Sequence, residues 1–213
     1  MNRLLHISAQ ALSVLLYPLF IPTYGMLLFW AVLSANSGDL LPLAKWMIIM
    51  GTTSIFTLVF PLLIILMMIY RKRLDDIQIR EPEQRTLPYL YTFTCYLCWC
   101  IFIARIHLPY FLLHTAIGAT VALVAVMLIN TRWKISAHLT AWGGLLGGIA
   151  DYCLWTNRLP ARWILLTAML ITCLLMYARI ILKAHTPEQT AAGLLLGLIA
   201  TAGYDTAYTL LTA

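Results

Sequence analysis

Two histidines, His138 and His185, stand at the margins of long apolar runs, each with cationic or hydroxyl neighbours. Lys134 and Ser136 come just before the first. Arg179 and Lys183 come just before the second, and Gln189 follows it by four residues. Upstream lie Arg80 and Arg85, in the one sizeable polar stretch of the chain. Histidine titrates near neutrality and can act as acid, base or nucleophile. Arginine grips oxyanions through paired N–H donors. Helix N-termini add unpaired N–H groups and partial positive charge. A helix opening at Ser136 and another opening after His185 can therefore aim at one anion, with arginines around it. This is a device for gripping an anion such as phosphate.

The five cysteines suggest less. Cys95 and Cys98 have C-x-x-C spacing, which suits a metal or a redox pair. No second pair lies near them in sequence, and all five cysteines sit inside apolar runs, so packing is the expected role. No metal and no cofactor is expected.

The elements that must position these residues are membrane-spanning helices. Of 213 residues, 62% are hydrophobic and only 10% are charged, against roughly a quarter charged in a soluble domain. Mean hydropathy is +0.86. The apolar runs are long and unbroken rather than alternating, which excludes a β-barrel pattern and predicts helices. Seven segments approach the ~20 residues that cross a bilayer. They lie near Ala11–Leu33 (broken by Pro18 and Pro22), Leu43–Tyr70, Tyr89–Leu108, Tyr110–Asn130, Ala137–Trp155, Trp163–Leu182 and Thr190–Leu211. The expectation is an all-α polytopic bundle of about six to seven helices, one integral membrane domain over residues 1–213. The apolar stretch behind Arg3 is read as a retained first span rather than a signal peptide. The loops after the second, fourth and sixth segments share one side, and that side carries every candidate named above. The net charge of +6 then points to anionic head groups or phosphate rather than nucleic acid.

On this side the residues resemble the type 2 phosphatidic acid phosphatase superfamily. Arg179-x5-His185-x3-Gln189, continuing to Gly193, is similar to the superfamily's third motif, Ser-Arg-x5-His-x3-Asp. Ile135-Ser136-Ala137-His138 resembles its second motif, Pro-Ser-Gly-His. The first motif, Lys-x6-Arg-Pro, is loosely echoed by Arg73-x6-Arg80 and by Arg85-Thr86-Leu87-Pro88. The region runs from Arg73 to Gly197, over half the chain. The resemblance implies a metal-independent lipid phosphatase or phosphotransferase acting on a lipid phosphate or polyprenyl diphosphate. His185 would be the nucleophile that becomes a phosphohistidine, and His138 the acid that protonates the leaving group. Gln189 would orient His185. Arg179, Ser136 and Lys134, with Arg80 or Arg85, would hold the phosphoryl oxygens. It also implies a bacterial cytoplasmic membrane with the site facing outward. The positive-inside rule disagrees: nine basic residues lie on the motif side, against four others outside the middles of the spans (Arg3, Lys45, Arg158 and Arg162).

The departures suggest a second reading. Gln189 replaces the motif Asp, and in the serine-protease triad Asp→Asn costs about 10⁴ in rate. A catalytically degraded relative that binds anionic head groups is the alternative. Thr186-Pro187-Glu188-Gln189 also reads as a helix start with a capping box, and Ser136 as an N-cap. A third reading, a transporter, rests on the opposite side, where Arg105, His107, His114, Asp151 and Asp205 lie and an Arg105–Asp151 or Arg105–Asp205 ion pair is expected. The Gly143-Gly144, Gly147-Gly148, Gly193 and Gly197 positions predict close helix packing.

Overall fold

In lipid each backbone N–H and C=O must be bonded within its own segment, so unbroken apolar runs fold as helices. The computed structural model describes the backbone of residues 3–34, 42–77, 79, 82–106, 110–156 and 159–212, and every described element is helical. The helices are α1 (Arg3–Leu15), α2 (Ile21–Ser34), α3 (Leu43–Ser54), α4 (Phe60–Tyr70), α5 (Thr86–Arg105), α6 (Tyr110–Asn130), α7 (Ala137–Thr156), α8 (Leu159–Ile181) and α9 (Pro187–Thr212). Arg80, His107 and Arg158 lie outside the described residues, as does the side chain of Asp205.

Two of the seven expected spans are interrupted. Pro18 lacks an N–H and its ring would collide with the carbonyl four residues back, so α1 stops at Leu15 and a 3₁₀ turn, Pro18–Phe20, leads into α2. Pro61 acts similarly on the second span. A π-helical turn, Ile55–Val59, absorbs the missing hydrogen bond between α3 and α4.

Among the described residues, five helical stretches are long and apolar enough to cross a membrane: Arg3–Ala31, Leu43–Tyr70, Thr86–Arg105, Phe111–Asn130 and Arg162–Ile181. The chain is an integral membrane protein by this measure. The expected spans on α7 and α9 run beyond the residues whose side chains are described, 137–152 and 187–202. Residues 142–149 of α7 are all buried, so this helix faces protein rather than lipid. Small and polar residues replace leucine where helices touch.

The α7–α9 pair is the tightest in the fold. A Cβ on Gly197 would meet the Thr140 carbonyl oxygen, and one on Gly143 would meet that of Leu194. The Thr201 hydroxyl reaches across to the Gly144 carbonyl at 3.0 Å. At the top of the pair a Cβ on Gly193 would sit 2.6 Å from the Ser136 carbonyl oxygen. Gly193→Val is therefore expected to lower stability by roughly 2 kcal/mol through overpacking against backbone. Thermal unfolding in detergent checks this, alongside the exposed Leu195→Val as a reference.

Candidate active site

Three short connections meet at one end of the bundle, and each helix end there is held by local chemistry. At α9 the capping box forms as its sequence requires. The Gln189 N–H donates to the Thr186 hydroxyl (3.4 Å), and the Thr186 N–H donates to Gln189 Oε1 (3.2 Å). At α7 the Ser136 hydroxyl accepts from the Leu139 N–H at 3.5 Å. The two helix starts are joined directly, because the Ser136 N–H donates to the Gln189 carbonyl at 3.3 Å. The second and third motifs are therefore one structural unit.

The same Gln189 Oε1 lies 3.2 Å from His185 Nδ1. A backbone N–H can only donate, so the Thr186 bond identifies the atom facing His185 as the amide oxygen, an acceptor. His185 Nδ1 must then carry hydrogen, and Nε2 keeps its lone pair. His185 is buried. Burial and the neighbouring Arg179 charge, with smaller contributions from Arg85 and Lys134, push its pKa down to about 4 against the opposing bond from Gln189. At neutral pH the ring is uncharged, with one free nitrogen. Glu188 does not serve it. That side chain is exposed, and the Thr186 hydroxyl keeps its carboxyl below the usual range.

His138, Arg85 and Arg179 line the same cavity as His185, and no Asp or Glu lines it among the described residues. The four are buried, at 6–8% exposed. Arg179, His185 and Arg85 all lie close enough to act electrostatically on His138. Arg85 is fixed from two sides: its Nε–H donates to the Ile79 carbonyl at 2.7 Å, and Nη1–H to Asn130 Oδ1 at 3.1 Å. Ile79 has φ 45°, an unusual value for a β-branched residue and a form of strain that collects at functional sites. That turn presents its carbonyl to the guanidinium. Two buried arginines in one wall make a cavity suited to an anion.

Away from the polar end the cavity continues between α2, α5, α6 and α7 along apolar side chains such as Met26, Phe29, Leu123 and Leu145. Its shape suits an amphiphile, with a charged head at the histidines and a hydrocarbon tail below.

The expected site residues fall into three groups. His138, His185, Arg179 and Arg85 share the cavity, and Gln189 backs His185. Lys134 is half-buried and near His185 without lining the cavity, while Ser136 is fully buried, caps α7 and does not line it. Arg80 lies outside the described residues. Asn130, Ile79 and Tyr17 were not expected. Asn130 ends a span with a polar side chain, which is a weak signal in the sequence, and Tyr17 gave none. On the opposite side Asp151 and His114 are buried, whereas Arg105 is exposed. Cys98 of the C-x-x-C pair is exposed on α5.

The family model described as the PAP2 superfamily matches residues 113–209. That segment runs from α6 to α9 and includes His138, Arg179, His185 and Gln189. No curated protein and no solved structure matches the chain.

Proposed function

From the match of residues 113–209 to the PAP2 superfamily, we propose that the chain is a membrane lipid phosphatase or phosphotransferase working through a phosphohistidine. The superfamily supports phosphatase-type chemistry on phosphate esters. The finer reading rests on one observation: two histidines and two arginines line a single cavity with an apolar extension.

In the proposed reaction Arg85 and Arg179 hold the phosphoryl oxygens and offset the charge that develops on them. The His185 Nε2 lone pair attacks phosphorus. The bond from phosphorus to the lipid oxygen breaks, and His138 gives that oxygen a proton. The His185 Nδ1–H stays on Gln189 Oε1 while the ring is positive. Water, or another hydroxyl acceptor in a transfer reaction, then attacks phosphorus and gives its proton to His138, and the N–P bond breaks. The substrate class is a lipid phosphate or polyprenyl diphosphate, and no metal takes part. A bacterial cytoplasmic membrane with the site on its outer face fits this reading.

Purified protein in detergent, with chelator present, should release inorganic phosphate from at least one member of a panel of lipid phosphates and diphosphates. No release from any of them would overturn the reading. Head-group binding without turnover would instead support the degraded relative that Gln189 suggests.

The state of His185 has its own check. An unfolded chain takes up this proton near pH 6.5 and the folded one near pH 4. Between those values the unfolded state holds more protons, so stability should fall as pH falls. The slope of melting temperature against pH over this window should be shallower in His185→Ala.

A further inference from the structure

The last carbonyls of a helix have no partner within it, and those of α1 are taken up by side chains around the site. Tyr24 donates its hydroxyl to the Leu15 carbonyl at 3.2 Å, and Trp142 donates its indole N–H to Leu16 at 3.4 Å. The Ser13 carbonyl lies 3.1 Å from His138 Nε2. A carbonyl can only accept, so Nε2 is the nitrogen that carries hydrogen. One turn later Tyr17 sets its ring edge-on to the His138 ring, with centroids 5.4 Å apart and planes at 87°. The Tyr17 hydroxyl donates to the Ile77 carbonyl at 2.7 Å, tying the end of α1 to the connection that carries Ile79 and Arg85. Tyr17 lines the cavity beside His138. Ser13, Tyr17 and Ile77 lie before residue 113, outside the family-matched segment.

We infer that the C-terminal end of α1 belongs to the catalytic machinery: the Ser13 carbonyl and the Tyr17 ring fix His138 so that Nε2–H stays anchored and Nδ1 is the atom that moves the proton. This rests on the proposed function above. The resting ring carries hydrogen on Nε2 alone; in the first half-reaction Nδ1 takes the proton of the bound phosphate monoanion and gives it to the departing lipid oxygen as the bond to phosphorus breaks, leaving a lone pair on Nδ1. In the second half-reaction Nδ1 takes a proton from the attacking water or hydroxyl acceptor. Nε2–H remains on Ser13 throughout. The α1 carbonyl end carries partial negative charge, which complements the doubly protonated ring and offsets the nearby Arg179, His185 and Arg85. Tyr17 is thus a positioning residue, acting through His138.

Two readouts test this. Nitrogen-15 histidine NMR of the full chain in micelles, with His138 assigned by its loss in His138→Gln, should show the Nε2–H tautomer at neutral pH. An Nδ1–H tautomer overturns the inference even if the protein has no measurable turnover. With activity in hand, Tyr17→Ala should lower kcat about tenfold or more with little change in KM, and should disturb the His138 signal. Tyr17→Phe, which keeps the ring, should retain most of kcat and the wild-type signal. A folded Tyr17→Ala protein with unchanged kcat and unchanged His138 signal overturns the inference while leaving the phosphatase reading intact. Absence of phosphate release in the wild type bears on that reading alone, since the tautomer is measured without turnover.

Discussion

His185→Ala is expected to reduce phosphate release by about 10⁴-fold or more, with a much smaller change in substrate affinity. Removing a covalent nucleophile eliminates the reaction route rather than weakening a contact, so the loss appears in kcat. Arg85 remains in place because it is held by Ile79 and Asn130, not by His185. Arg179 also lines the cavity, so the anion site persists. Isothermal or fluorescence binding of a lipid phosphate to the inert variant separates the two effects. Full activity in this variant would rule out the mechanism. Lost binding together with lost activity would mean that the substitution had collapsed the cavity instead.

The second large effect concerns Gln189. In the triad analogy, an amide in place of the carboxylate is costly partly because it permits the wrong imidazole tautomer. Here the Thr186 N–H holds Gln189 Oε1 toward His185, so the correct tautomer is already enforced and only the negative charge is missing. Gln189→Glu supplies that charge at the same side-chain length. It should raise the His185 pKa from about 4, because a carboxylate favours the protonated ring. It should also raise kcat by about 10–100-fold, by stabilising the positive charge that forms on His185 during attack. Parallel pH–rate profiles of wild type and variant would show both changes. Gln189→Asp restores the motif residue but is one methylene shorter, so a smaller gain is expected from it. If neither variant gains activity and the wild type has none, the head-group-binding reading gains support.

Much of this architecture was legible in the sequence. Segment lengths and the order of polar connections indicated which histidines would share a side. The Thr186-Pro187-Glu188-Gln189 stretch indicated a capped helix start, because capping depends on local chemistry. Hydropathy did not reveal that residues 142–149 of α7 would all be buried, since it cannot distinguish a lipid-facing helix from one packed on others through glycine. Ser136 illustrates another limit: its type fits both a cap and a phosphate ligand, and its buried position at the start of α7 favours the cap. Tyr17 and Ser13 were hidden because they reach His138 from more than 120 residues away, through a helix end created by Pro18. No local pattern encodes such a contact.

The central claim is that phosphorus becomes bonded to His185. Incubation of the purified protein with a substrate labelled in its phosphoryl group, followed by alkaline quench and peptide mapping, tests it directly, because phosphohistidine survives base. The account predicts label on the peptide containing His185, absent in His185→Ala and longer-lived when His138 is changed to Gln. Turnover with no trapped label under conditions that slow the second half-reaction, or label on any other residue, would contradict it.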